Sequence, residues 1–335
     1  MASPTRNFKR PSGAWGRLKS ISTDPLDAVG LPSKGDTKLL DPKAQEMYFT
    51  NIVARYTKFC GRAGTSENLD KAFALLSLNE SAPKGSGPGA GSGTTTPSNA
   101  SPADKNVSPT SARSGTNTTP SPPKKKNNNN NNNDPEVLNK ELSVILMALR
   151  KLREALVATS RIDAFAQHAY LFSIRASILV QHYESYQPAL LHLLHRIHLL
   201  HPLPPPDLHE CVGYLVLDLA CRQQNIGAAY AAKIQYKYSD RRVELILKAL
   251  AHENWYAFWR LRQAVNGYQT RLLQPAEQEL RLHALKCLGR TYFTVEKPYL
   301  ERSTDMSWEE LTRGGLQVGW VLEGDKVVIR RPKAR

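Results

Sequence analysis

The sequence is short of most of what membrane insertion, disulfide scaffolds and catalysis draw on. No stretch of its 335 residues reaches the roughly 18 consecutive apolar side chains that a membrane-spanning helix needs, so none is expected. Only four cysteines occur, Cys60, Cys211, Cys221 and Cys287, and no two form a Cys-x-x-Cys pair. That spacing suits free thiols in a reducing compartment rather than a disulfide framework. Met1–Lys9 carries basic side chains with no apolar stretch behind them, so no secretory leader is expected. His-Glu-x-x-His, Gly-x-Ser-x-Gly and Walker patterns are all missing. The glycine run from Gly85 to Gly93 imitates a phosphate loop, but no strand leads into it and no helix follows. His192, His195, His198 and His201 recur every third residue. Each such step turns a helix by about −60°, so the outer two face opposite ways and a shared metal is not expected. These absences predict a soluble, non-catalytic protein with no cofactor, metal ion, small-molecule substrate or membrane partner.

What is present is a basic chain of uneven composition. Its net charge is +15, which makes a polyanionic partner plausible. From Pro135 onward there are 27 Lys and Arg against 20 Asp and Glu, so +8 of the total belongs to residues 1–134. Lys326, Arg330, Arg331, Lys333 and Arg335 crowd the last ten positions, with no acid after Asp325. That cluster reads equally as a solvated tail or as a nucleic-acid contact.

Composition divides the chain into five stretches. Residues 1–40 are rich in Pro, Gly and charge and are predicted to be disordered. Residues 41–80 predict two short helices. Phe49, Ile52, Val53, Tyr56 and Cys60 mark the buried face of the first, and Leu69, Ala72, Phe73 and Leu76 that of the second. The basic and aromatic residues interleaved at Tyr48, Phe49, Arg55, Tyr56, Lys58 and Phe59 fall at helical spacing, so core packing is the favoured reading. Two short helices bury little alone and are expected to dock on the main domain. Residues 81–134 form a disordered low-complexity insertion, with Ser/Thr-Pro pairs at Thr96, Ser101, Ser108, Thr119 and Ser121. Its Lys124–Lys126 run is a weak import signal that favours the nucleus, the cytoplasm being the alternative.

From 135 to 272 the pattern is helical. Leu138, Leu142, Ile145, Leu149, Leu152 and Leu156 step by fours and threes, the apolar stripe of one helix. Further helices are predicted near 163–183, 187–201, 208–223, 226–238, 241–251 and 254–266. Breaks are placed at Tyr186-Gln187-Pro188, at Pro202–Pro206 and at Ser239-Asp240. Helices joined by short turns pair, and successive pairs stack, which predicts a right-handed solenoid of helical hairpins. The last stretch, 273–335, differs in kind. It predicts a helix opened by Pro275, a β-rich run at Thr291–Val295, and a helix from a Ser303 or Thr304 cap to Thr312. A hairpin then turns on Glu323-Gly324-Asp325. Helix, strand, helix and two-stranded wing is the order of a winged-helix domain, making the fold class mainly α.

Four segments carry a family resemblance. Gly267-Tyr268 with Leu272, Glu279, Arg281, Ala284, Leu285 and Lys286 resembles the pattern in which Gly-Tyr precedes a helix bearing Arg and Ala-Leu-Lys. Ala249–Phe258 resembles the polar link into an aromatic helix. His209–Leu217 resembles the helix in which Glu210, Gly213, Tyr214, Val216 and Leu217 hold the matching places. Tyr170–Ile178 is similar to a fourth family segment, with Arg175-Ala176 in reversed order. Over about 138–335 the chain thus resembles PCI modules, nearest the Sac/GANP branch of mRNA-export and transcription scaffolds. The small subunits of the proteasome lid, the signalosome and translation initiation factor three are nearly as similar.

The resemblance implies a non-catalytic scaffold subunit linked to mRNA processing, export or transcription, meeting other PCI subunits through its winged helix. Trp308, Trp320, Val327 and Ile329 are its docking candidates. Lys326, Arg330, Arg331 and Lys333 lie on and beyond the wing, where cations can reach RNA or DNA phosphates. The alternative is a stand-alone nucleic-acid-binding winged-helix protein. Arg281 either projects from the domain or pairs with Glu277.

Overall fold

The computed structural model describes residues 24–63, 135–313 and 318–331. The helix expected over 66–76 and the insertion at 81–134 lie outside the described residues, as do 1–23, 314–317 and 332–335. Among the described residues the chain is mainly α-helical, as its apolar periodicity predicts. Helix α1 (Pro42–Ala63) is followed by α2 (Pro135–Ala158), α3 (Ala164–Leu179) and α4 (Tyr183–His192). The last of these runs on through a π-helical turn, Leu193–Ile197, to His198–Leu200. Then come α5 (Pro205–Cys221), α6 (Ile226–Gln235), α7 (Arg241–Ala251), α8 (Trp255–Arg262) and the long α9 (Gly267–Thr291). The C-terminal unit adds β1 (Thr294–Glu296), α10 (Lys297–Thr304), α11 (Trp308–Arg313), β2 (Val321–Glu323) and β3 (Lys326–Val328). None of the described helices is both long and apolar enough to cross a membrane.

Short links with a shared chemistry hold successive helices against one another. Ser160, Gln181, Gln224, Lys237 and Glu253 all adopt positive φ just past a helix end, reversing the chain. A side chain then caps the next helix: Asp163 accepts from Ala166 N, His182 from Ser185 N, Asn225 from Ala228 N, Asp240 from Val243 N and Asn254 from Ala257 N. The helices so arranged share one core, and every residue of the Leu138–Leu156 stripe is buried in it. Gly213 is required where α5 meets the link after α6, since a Cβ there would fall 2.7 Å from the Tyr238 hydroxyl.

The described part of the N-terminal segment, 24–40, departs from the expectation that residues 1–40 are mostly disordered. Residues 24–40 form turns and two short 3-10 helices, and Leu26 and Leu39 are buried in the main core. The Leu26 carbonyl accepts from Tyr48 Oη (2.9 Å) and Lys151 Nζ (2.9 Å), and Gln45 Nε2 donates to the Leu39 carbonyl (3.0 Å). These bonds satisfy backbone that composition alone would assign to a loop. Helix α1 packs on α2 and α3, with the Phe49 ring edge-on to Phe165 (5.7 Å) and Phe172 (5.6 Å).

Two prolines sit inside helices rather than at their breaks. Pro188 lies within α4, and the break expected at 186–188 falls instead at Val180–His182. Burial of Tyr186, Ala189 and Leu190 on both sides of Pro188 keeps the helix intact. Pro275 does not open a helix but lies within α9, which Asn266 starts through a capping box with Gln269. Proline cannot donate to the Arg271 carbonyl four residues back, and Gln181 Nε2 donates to it instead (3.2 Å). The boundary expected between 272 and 273 therefore falls inside one continuous helix.

Glu210 joins α3 to α5. Arg175 grips its carboxylate with a two-pronged fork (2.8 and 2.6 Å), and Tyr214 Oη donates at 2.5 Å. Burial opposes the charge, but the bonds from Arg175 and Tyr214 outweigh it and hold the carboxyl below its ordinary value of 4.5. A depressed folded-state pKa stabilises the protein above about pH 4.5, and this contribution is lost as pH falls through the folded value. Glu210→Gln should therefore cost about 1–3 kcal/mol at pH 7. The penalty should shrink below pH 4.5 in urea unfolding followed as a function of pH.

Candidate functional site

The C-terminal unit has its own small core and shares one helix with the rest. Leu272, Leu273, Ala276 and Leu280 of α9 belong to the main core, whereas Leu285 and Leu288 join Val295, Leu300, Trp308, Leu311 and Val327. At about 1.5 Å per residue, α9 carries both over some 37 Å. A polar junction fixes the angle between them. Glu277 is buried between Arg281, which donates to Oε2 (2.9 Å), and Arg262, whose Nε lies 2.8 Å from Oε1 as an ion pair without a hydrogen-bond angle. Arg262 also reaches Asp305 (2.8 Å), Arg281 Nε donates to the Thr304 carbonyl (3.0 Å), and Trp259 Nε1 donates to the Ser303 carbonyl (3.0 Å). Arg281 thus pairs with Glu277 and is not a free cation.

The unit is built in the order α9, β1, α10, α11, β2, β3, with antiparallel strands placed β1-β3-β2. Where one helix from Ser303 or Thr304 to Thr312 is expected, the structure has two. Pro298 sits in the first turn of α10, and Ser303 and Thr304 end that helix, bonding the carbonyls of Tyr299 (2.8 Å) and Leu300 (2.9 Å). Asp305 turns the chain at positive φ, and α11 starts where Ser307 and Glu310 cap each other. Those bonds from Ser307 hold the Glu310 carboxyl below its ordinary range. The β-rich run begins at Thr294 because α9 extends through Thr291. The hairpin pairs Glu323 with Lys326, and Gly324 at positive φ permits the two-residue turn.

Burial corrects two docking candidates. Val327 is 0% exposed and Trp308 9%; both pack the small core, so a partner could touch neither without opening it. Trp320 and Ile329 are half-buried against the same core.

The four cations separate. Lys326 sits in register opposite both Glu296 and Glu323, so acidic neighbours flank it. Arg331 pairs with Glu323 (2.7 Å). Lys333 lies outside the described residues. Arg330 alone joins a cationic surface: its Nη2 donates to the Arg290 carbonyl (3.0 Å), and its guanidinium stands 4.7 Å above the Phe293 ring. Lys286 and Arg290, one turn apart on α9, are exposed beside it. Phe293 is 50% exposed and Tyr292 44%. Linear reading missed Arg290, Tyr292 and Phe293, although Arg290-Thr291-Tyr292-Phe293 is a basic–aromatic run in plain view. Such a surface offers cations for phosphates and ring faces for bases.

The four histidines separate as well. His192 stacks on Tyr170 (5.1 Å), the Leu203 N–H donates to His198 Nδ1 (3.0 Å), His201 contacts Gln167 (2.8 Å) and His195 is exposed. Elsewhere, Cys287 Sγ lies 3.4 Å from His283 Nε2, and His283 Nδ1 lies 3.2 Å from Glu253. This nucleophile–imidazole–carboxylate file can share a proton. The amides around Cys287 are committed inside α9, so the helix presents no oxyanion donors to a reacting carbonyl. The chain matches no family model and no curated protein.

The junction yields a test. Glu277→Ala leaves two arginines without their shared carboxylate and should cost about 3–5 kcal/mol. Glu277→Leu combined with Arg281→Leu should recover part of that loss, as read by denaturant midpoints of the three proteins.

Proposed function

We propose that this chain is a non-catalytic scaffold subunit of PCI type, in which stacked helical pairs run into a winged helix that docks on a second such subunit. The observation that carries this reading is the single helix α9 threading two cores. Past it stand a strand, two helices and a two-stranded hairpin that closes on the first strand. That is the order a winged helix requires, and a continuous helix transmits the position of the array to it. Strand β2 lies at one edge of the sheet with Val321 exposed, so it offers unpaired backbone to a partner's edge. The resemblance over 138–335 favours the Sac/GANP branch and work on RNA or chromatin in the nucleus. The small lid, signalosome and initiation-factor subunits are the next reading.

The test is affinity purification of the full chain from its native cells with mass spectrometry. A stoichiometric PCI-type partner is expected, and Val321→Lys should release it. Purified protein that carries no such partner would remove the scaffold reading.

The contact of Arg330 with Phe293 favours a second reading, sequence-tolerant binding of single-stranded nucleic acid. Changing Arg290 and Arg330 to Glu should weaken binding of a single-stranded RNA and reduce its salt slope by about 1–2, leaving the partner attached. Unchanged binding in a gel-shift titration across salt concentrations would remove this surface from the account.

A further inference from the structure

A cleft of about 820 Å³ opens between the ordered N-terminal segment, the end of α2 and the start of α4. Leu40, Val157, Pro188 and Ala189 give it apolar walls. Its polar groups are out of balance. Arg153 lines the cleft with its Nη1 donating to the Ser185 carbonyl, yet its buried Nε has no acceptor. Among the described residues no carboxylate lies within ion-pair distance of its guanidinium, and burial pushes its pKa down. The nearby acids are engaged elsewhere. Glu154 holds Arg150 (3.3 Å) and the Ser33 hydroxyl (2.9 Å), and Asp36 accepts from Gly30 N (2.7 Å) and Lys38 N (2.9 Å). Glu184 is exposed at the rim.

Tyr170 adds a second donor. It lines the cleft, is 2% exposed, and its ring stacks on His192. Burial pushes its pKa up to about 12, so it stays protonated and can donate. A native interior leaves few buried donors unanswered, and the Nε of the half-buried Arg153 guanidinium is one of them. Elsewhere in this chain Arg175, Arg222 and Arg281 each meet a carboxylate. With Asp36 and Glu154 engaged and Glu184 at the rim, the donor that the cleft leaves unanswered is the buried Arg153 Nε, and it is complementary to a ligand oxygen that accepts.

We propose that this cleft binds a small organic oxyanion, a carboxylate or phosphate monoester on an apolar body, with the Arg153 guanidinium and the Tyr170 hydroxyl as its donors. Oxygens of either group can accept from a guanidinium fork, and the apolar walls fit the body. The site is independent of the assembly surface at the C-terminal unit.

The test uses the full chain at constant ionic strength, with thermal unfolding read against phenyl phosphate, phenylacetate and, as a neutral control, benzyl alcohol. At saturating concentration at least one anion should raise the midpoint by roughly 3 °C while benzyl alcohol leaves it unchanged. A response to phenyl phosphate alone assigns a phosphate ester, and a response to phenylacetate alone a carboxylate. Arg153→Met should abolish the response and, without ligand, unfold no earlier than the parent protein, because it removes a half-buried charge that has no carboxylate partner among the described residues. Tyr170→Phe, which keeps the packing, should weaken binding about fivefold by titration calorimetry. The proposal is overturned if neither anion shifts the parent protein, if Arg153→Met responds equally, or if that variant unfolds many degrees lower. The last result would make Arg153 a structural tie to Ser185.

Discussion

Glu277 is a carboxylate taken almost wholly out of water where α8, α9 and the turn after α10 meet, and two guanidiniums face it. The geometry of the molecule turns on this point. A helix as long as α9 could carry a small domain at its end in many rotational settings, since apolar contact is non-directional. Directional bonds remove that freedom. Arg262 comes from the array, Arg281 from the shared helix and Asp305 from the C-terminal unit, and Glu277 is the charge that makes bringing the two arginines together tolerable. Arg281 also lies over the Trp259 ring (5.1 Å), and Trp259 in turn bonds the Ser303 carbonyl. The helices of the main core and the C-terminal unit are thereby held as one body, so the position of one end fixes that of the other.

Within the array the decisive chemistry lies in the links. Five of them place a residue other than glycine at positive φ, a conformation that costs about 1 kcal/mol or more for an ordinary side chain. In three of them, at 181–182, 224–225 and 253–254, the cap follows that residue directly. The strained residue ends one helix and the cap begins the next, so the reversal is local and repeats. This is how a chain without an exact sequence period builds repeated helix pairs.

Much of this was legible in the sequence where one local rule acts alone. The stripe from Leu138 to Leu156 is buried at every position, and Asp163, Asn225, Asp240 and Asn254 are the residue types that start helices. Local rules misled where a distant residue answers them. Pro275 reads as a helix start because its missing N–H orphans the Arg271 carbonyl, and the donor that repairs the defect, Gln181, stands on a different link. Residues 24–40 read as disordered because neither Leu26 nor Leu39 shows a period; the Leu26 carbonyl is answered by Tyr48 and Lys151 further along the chain, and the Leu39 carbonyl by Gln45 on the next helix. At the C-terminus the cluster of cations was plain, but its division was not. Whether a cation is free depends on strand register, which sets Lys326 between two glutamates and leaves Arg330 on Phe293.

The two surfaces that stand out share one physical property, positive charge that the protein does not answer, and they differ in solvation. Arg290 and Arg330 are exposed, so water and counterions screen them, and holding them costs little. Their affinity for a polyanion would come from many weak contacts and would fall with salt. Arg153 is half-buried with its Nε out of water, where an interaction is less screened than at the surface. A partner for the first must be long and repetitive, whereas a partner for the second must be compact and must bring its own charge. The same residue type would thus suit a general contact at one end and a selective one at the other, with burial, not charge, making the difference.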